Sequence, residues 1–327
     1  MRMPGDGWVE CACGARHWGL NGAAGLLAWR PVSGHDDGAT PGATAVEDAS
    51  RAVDAAGPTD AAGVELALQH RAAWSHHGGT WGIPGGAIAD GETALTGAMR
   101  EAAEESGIEE RHLRVLATRV LTHPDWSYTT VVARAAPSAR VAATDAESLE
   151  VRWVGAPELR SGDLPLLPAF ADSLDELAGM LGRVVLVVDS ANVVGSVPDG
   201  WWRDRRAATV RLRDSLTDLA ANGLPADAVG LPGTRWFPEI HLVTEGAARG
   251  VGSTADVTVH EAPGEGDDEI VRVAAALAAN SPAPPEPGFV RVVVATADRA
   301  LAERCRAVGA VVVGPSLVRR SQSRPRA

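Results

Sequence analysis

Three glutamates, Glu101, Glu104 and Glu105, stand at i, i+3 and i+4, a spacing that projects all three from one side of a helix. Leu95, Met99 and Ala102 fall at i, i+4 and i+7 and form an apolar stripe on another side. One face would then pack on a core while the other presents carboxylates to a pocket. Like charges this close repel by a few tenths of a kcal/mol per pair on an exposed helix. A hard divalent cation turns that repulsion into binding, because Mg²⁺ prefers carboxylate oxygens, waters and substrate phosphates. Such a set suits metal-assisted hydrolysis, in which a glutamate takes the proton of an attacking water. The plain alternative is a solvated acidic helix face.

That alternative must also account for the surrounding segment, GAIADGETALTGAMREAAEESGI, with Gly86, Glu92, Arg100, Gly107 and Ile108 at fixed offsets from the glutamates. At ordinary residue frequencies a chance match is on the order of one in a million. The segment resembles the Nudix box, with small Ala102 where that family more often has a larger apolar residue. The resemblance covers about residues 8–178. It implies a Mg²⁺- or Mn²⁺-dependent pyrophosphohydrolase of a nucleoside di- or triphosphate-linked substrate. Glu101, Glu104, Glu105 and Gly86 would frame the metal, and Glu92 with Arg100 would brace the loop. The lead-in GTWGIPGG (79–86) resembles that of nucleoside-triphosphate-type members. Trp81 would line the nucleotide pocket or simply fill the core. Trp126, in the loop with His123, Asp125 and Tyr128, is the candidate base stacker. Glu147 is the candidate base from outside the box, against the plainer role of a surface carboxylate. The resemblance also implies a possible homodimer.

A second acidic set lies in the C-terminal half. Asp189 ends the apolar run VVLVV (Val184–Val188), and Asn192 follows three residues later. Asp267 and Asp268 open a helical stretch, and Asp298 follows VRVVVA. Open α/β sheets place their sites at such strand ends. The arrangement resembles PIN-like nucleases of the NYN branch over about 183–315, with Ser190 where that branch usually has Gly. It implies aspartates that hold Mg²⁺ or Mn²⁺ for RNA cleavage, with Asn192 near the substrate. Taken singly, Asp267 and Asp298 are good helix N-caps, and Asp189 can merely end a strand. Arg203, Arg205, Arg206, Arg211 and Arg213 would meet RNA phosphates or form a solvated face, and Trp201 and Trp202 would stack on bases or cover the core edge. Two other readings remain: a C-terminal module that only binds RNA or protein, and a nucleotide-sensing first domain that regulates a nuclease.

Cys11, Cys13 and His17 offer three zinc ligands. However, C-x-C is tighter than the usual C-x₂₋₄-C knuckle and no fourth ligand is evident. Two small buried thiols on a strand is the favoured reading. With three cysteines in all, no disulfide framework is indicated.

The elements that must position these residues read as two domains. An α+β Nudix fold with a mixed sheet spans 1–180, and an α/β three-layer PIN-like domain with a parallel sheet spans 181–317. Strands are expected at Gly22–Trp29, Val64–His70, Leu113–Thr122, Tyr128–Ala135 and Val151–Val154, with a helix over 94–106 closed by Gly107. Residues 31–61 lack apolar periodicity and read as a flexible loop. After Arg183, strands alternate with helices, as βαβ units do. Residues 318–327 read as a basic disordered tail. Every one of the 30 basic residues is Arg, and the net charge of −12 excludes broad electrostatic adhesion to nucleic acid. No apolar run reaches the roughly 18–20 residues of a membrane span, and no secretory leader is seen, so no membrane partner and a cytoplasmic location are expected.

Overall fold

The computed structural model describes residues 4–32, 63–198, 200–279 and 281–320, and the chain divides into compact units, Met1–Leu181 and Gly182–Ala327. Most of the expected 31–61 loop lies outside the described residues, as do residues 321–327 of the expected tail.

In the first unit a small antiparallel pair, β1 (Trp8–Glu10) and β2 (Arg16–Trp18), precedes the main sheet. That sheet holds β3 (Ala23–Pro31), β4 (Val64–Arg71), β5 (Trp81–Gly82), β6 (Gly85–Ala87), β7 (Leu113–Thr122), β8 (Ser127–Ala135) and β9 (Ser148–Gly155). It is mixed: β3 runs parallel to β8 and antiparallel to β4 and β6. The two halves of β3 have different neighbours, β6 beside Ala23–Gly25 and β4 beside Trp29–Pro31. The glycine-rich lead-in therefore forms two short strands that sequence periodicity could not show.

Helix α1 (Ala94–Ser106) starts at a capping box, in which Thr93 accepts from the Thr96 N–H and Thr96 reciprocates, and ends at Gly107 in the left-handed conformation (φ 66°). Such an N-cap stabilises by about 1 kcal/mol. The helix lies on β3, where Ala98 and Ala102 are fully buried with Ala24, Leu26 and Ala28. Small side chains on both sides let the backbones approach. Of the expected stripe Leu95, Met99 and Ala102, only Ala102 is fully buried; Leu95 and Met99 are partly buried at the edge of the same cluster. The buried face is instead rotated onto Ala98 and Ala102 and carries Glu105 with it, so the apolar and acidic faces meet along one seam.

The second unit is built on a five-stranded parallel sheet in the order β14-β13-β10-β15-β16. Its strands are β10 (Arg183–Asp189), β13 (Glu239–Thr244), β14 (Val257–Glu261), β15 (Val290–Ala295) and β16 (Val311–Val313). A two-residue pair, β11 (Leu224–Pro225) and β12 (Arg235–Trp236), accounts for the intervening numbers. Val184–Val188 are all at most 1% exposed, which explains a continuously apolar strand covered on both faces. The helices Gly266–Ala278 and Arg299–Ala307 cover Val187, Val243, Val292 and Val294. The longer helix Arg205–Asn222 packs on β13 and β14. Strand order reverses between β10 and β15, so their carboxyl ends flank a crevice. Val318–Arg320, expected in the tail, belong to a helix (Pro315–Arg320) and Val318 is buried. No described helix is long and apolar enough to cross a membrane.

Candidate active site

The first site assembles where α1 faces the β6 edge. Arg100 is its hub. Its Nε and Nη2 donate to the two oxygens of Glu92 at 3.0 Å each, and Nη1 donates to Glu101 at 2.9 Å and Glu104 at 3.1 Å. Nη2 also donates to the Ala87 carbonyl, and Glu92 accepts from the Ala89 N–H, so the loop is tied to the helix at both ends. The Arg100 hydrogen bonds, with that of Ala89, hold the Glu92 carboxyl below its ordinary range.

Glu105 is 5% exposed and accepts from the Gly85 N–H at 2.8 Å. Burial pushes its carboxyl up to about 8; the Gly85 N–H opposes this, Glu101 adds repulsion, and Gln69 pulls the other way. Burial also raises Glu101, partly offset by Arg100. A Cβ on Gly86 would lie 2.6 Å from the Glu101 carboxylate, so glycine here is what admits Glu101 against the β6 backbone. Tyr128 lies close to the same carboxylates: burial, then Glu105, raises its hydroxyl, and a Cβ on Gly25 would meet its oxygen at 2.2 Å.

A metal fits this donor set. Glu101 and Glu105 are buried carboxylates with only partial compensation, oxygen is the ligand hard cations prefer, and the cradle at Gly86 is open only because no Cβ fills it. With Arg100 occupying Glu101 and Glu104, the three glutamates do not themselves converge to within 4.8 Å of one another. Other expected residues are placed elsewhere. Trp81 is buried and stacked on His70, with Arg152 over its ring, so it is a core residue. Trp126 is stacked on His17 (ring centroids 4.4 Å, 10°) and donates Nε1 to the Trp18 carbonyl. Glu147 sits in the turn before β9 with an exposed side chain; its backbone carbonyl holds the Ala72 N–H. Gln69, fully buried and donating to Ser148, was missed. Its signal was an amide directly after the apolar run Leu66–Leu68.

The NUDIX domain family matches residues 49–176. A Bifidobacterium longum protein described as a nucleoside triphosphate pyrophosphatase/Nudix hydrolase fusion protein is 41% identical over 187 residues, which is 54% of this chain but 33% of that protein. The putative 8-oxo-dGTP diphosphatase 3 of Mycobacterium tuberculosis is 41% identical over 185 residues, 54% of this chain and 70% of the relative. The chain belongs to the Nudix family. The Nudix hydrolase RenU of M. smegmatis is 37% identical in sequence, covering 53% of this chain and 92% of that one with a TM-score of 0.41. The match thus spans a third of the first relative and most of the second, and the Nudix box at 86–108 falls inside the family match at 49–176.

The Nudix unit accounts for one half of the chain; the second unit carries its own cleft. About 270 Å³ in volume, it is lined by Asp189, Asn192, Glu245, Asp267 and Asp298 among others. It opens where strand order reverses. Asp189 accepts from the Asn192 N–H at 3.0 Å and from Thr296 Oγ1 at 2.9 Å. Burial raises its carboxyl against those bonds, and Asp267 and Glu245 add repulsion. Asn192 accepts from the Ala297 N–H at 2.9 Å, joining the ends of β10 and β15. Asp298 caps its helix by accepting from the Leu301 N–H at 2.9 Å.

Three expectations for this cleft change. Asp267 is no cap: the helix begins one residue earlier, at Gly266, which leaves its carboxylate to the cleft, where burial and Asp298 raise it. Asp268 points elsewhere and accepts from Arg304 at 2.5 Å. Glu245 was not anticipated; it accepts from the Gly266 N–H at 2.6 Å and lines the cleft. The readable sign was its place just after an apolar strand. Among the arginines, Arg206 and Arg213 donate to the Gly250 and Gly252 carbonyls, and Arg205 covers the Trp201 ring. Trp202 is 56% exposed.

Proposed function

We propose that the first unit is a Mg²⁺- or Mn²⁺-dependent pyrophosphohydrolase of nucleoside triphosphates. The observation that carries this reading is Arg100 fixing Glu92, Glu101 and Glu104 beside the buried Glu105 over the Gly85–Gly86 backbone. Glu101, Glu104 and Glu105 would hold the cation, with the Gly86 backbone beside them. When bound, the cation neutralises phosphate oxygens and acidifies water. The chain's own contributions are positional and acid–base. Arg100 orients the carboxylates, the Gly85 N–H steadies Glu105, and a glutamate of this set would accept the proton of the attacking water. The name of the Mycobacterium tuberculosis relative makes oxidised deoxynucleoside triphosphates, 8-oxo-dGTP first, the favoured substrates. The test is a Mg²⁺-dependent phosphate- and pyrophosphate-release screen over canonical and oxidised nucleotides, with Glu104→Gln and Glu105→Gln alongside. Turnover of one substrate that both variants lose supports the enzyme. Nucleotide binding without any turnover supports a sensor instead.

The second unit, in our reading, is a PIN-like ribonuclease. Four carboxylates, Asp189, Glu245, Asp267 and Asp298, line one cleft at the sheet's switch point, and they would hold Mg²⁺ or Mn²⁺. Its RNA partner would approach from the side of Asn192. Cleavage of RNA by the full chain, lost in Asp189→Asn with RNA binding kept, supports this activity. RNA binding without cleavage supports a recognition module.

A further inference from the structure

We propose that Cys11, Cys13 and His17 form a zinc site that clips the β1–β2 hairpin to the turn between β7 and β8. This site is separate from both carboxylate sets. The sequence reading that both thiols are buried on a strand does not hold. They sit in the turn between the two short strands, with Cys11 buried and Cys13 exposed. The tight turn is what makes the short C-x-C spacing workable: the Gly14 N–H donates to the Cys11 carbonyl and the Cys11 N–H to the Ala15 carbonyl. The chain is thereby folded back so that His17, from β2, reaches the sulfurs.

Among the described residues this is the one group of three metal-ligating side chains whose donor atoms all lie within 4.8 Å of one another. Cys13 Sγ and His17 Nε2 are 3.2 Å apart. In a tetrahedral zinc site with bonds near 2.3 Å to sulfur and 2.0–2.1 Å to nitrogen, such donors lie roughly 3.5–3.8 Å apart. The Cys13–His17 pair therefore needs to part by only a few tenths of an ångström, and the other pairs to close by no more than about 1 Å. Cys11 Sγ is approached by the backbone N–H groups of Cys13 and Asp125, the kind of surrounding hydrogen bonds that steady a metal-bound thiolate. Two soft sulfurs and an imidazole select zinc over Mg²⁺.

The far side of the clip is already in place. Asp125 accepts from the Ala12 N–H at 2.8 Å, Trp126 covers the His17 ring, and the His123 ring lies 4.4 Å from it. The turn holding Asp125 and Trp126 leads directly into β8, which carries Tyr128 to the carboxylates. Zinc would thus fix the start of the strand that borders the Nudix site, and Trp126 forms a wall of this clip.

The experiment is the zinc content of the full chain, grown with zinc and dialysed against metal-free buffer, measured by plasma mass spectrometry for wild type, Cys13→Ser, His17→Asn and Glu105→Gln. Cys13 is exposed, so its replacement does not open the core. About one zinc per chain is expected in wild type and in Glu105→Gln, falling at least tenfold in the other two while far-UV circular dichroism is kept. Cobalt(II) in place of zinc should give a thiolate charge-transfer band that weakens in Cys13→Ser. Zinc below about a tenth per chain in wild type, or zinc lost in Glu105→Gln but retained in Cys13→Ser, overturns the proposal.

Discussion

Arg100 meets Glu92 through two parallel hydrogen bonds, Nε to Oε1 and Nη2 to Oε2, each 3.0 Å long. The same guanidinium holds Glu101 and Glu104, so its planar fork positions three carboxylates at once. Lysine keeps the charge but has no fork. Arg100→Lys is therefore expected to destabilise by about 1–3 kcal/mol and to lower turnover at least about a hundredfold through misplaced carboxylates. Urea unfolding and steady-state kinetics on the same preparation check both numbers; wild-type kinetics would refute the positioning role.

Gly86→Ala isolates the steric part of the site. The new methyl would stand 2.6 Å from the Glu101 carboxylate, and a flexible carboxylate moves more cheaply than backbone. Stability should change by less than about 1 kcal/mol, with activity reduced at least about a hundredfold. A thermal melt beside a rate assay distinguishes this from misfolding.

Glu105 makes a pH prediction whose sign follows from burial. Its folded-state carboxyl is raised to about 8 from 4.5, so between those values the folded state holds a proton that the unfolded state has lost. Without metal, this group contributes stability that is full below about pH 4.5 and lost as pH rises toward 8, by up to about 1.4 kcal/mol per pH unit. Glu105→Gln removes that slope. In EDTA the variant should become progressively more stable than wild type from pH 5 to 8, and Mg²⁺ should restore only wild type. Parallel pH profiles of the two proteins would contradict the buried carboxyl.

Asp298 combines a helix cap with a place in the cleft. Asn caps as well as Asp, whereas Ala loses about 1 kcal/mol. Asp298→Asn should keep the melting temperature and weaken Mn²⁺ binding to the second unit, while Asp298→Ala should lose both. Titration calorimetry with melting curves separates the two roles. Equal Mn²⁺ affinity in wild type and Asp298→Asn would remove Asp298 from the metal set.

The sequence by itself determined the local structure around the Nudix box. Helical spacing, the Gly107 cap and the fixed offsets from Gly86 to Ile108 are properties of short segments, written in consecutive residues. It likewise marked Val184–Val188 as a strand covered on both faces, because a parallel strand leaves no polar alternation. Tertiary structure decided which face of α1 is buried. Ala98 and Ala102 are fully buried against Ala24, Leu26 and Ala28 of β3, while the longer Leu95 and Met99 pack at the edge of that cluster. It decided the stacking partners of Trp81 and Trp126, since His70 and His17 come from other parts of the chain. It also brought Glu245 to the cleft and turned Asp268 away, because a carboxylate's destination depends on where its strand or helix ends in space. Cys11, Cys13 and His17 were legible as three possible ligands, but their gathering was a tertiary matter: a spacing too short for the usual knuckle becomes workable only once a turn between two strands folds the thiols toward the imidazole.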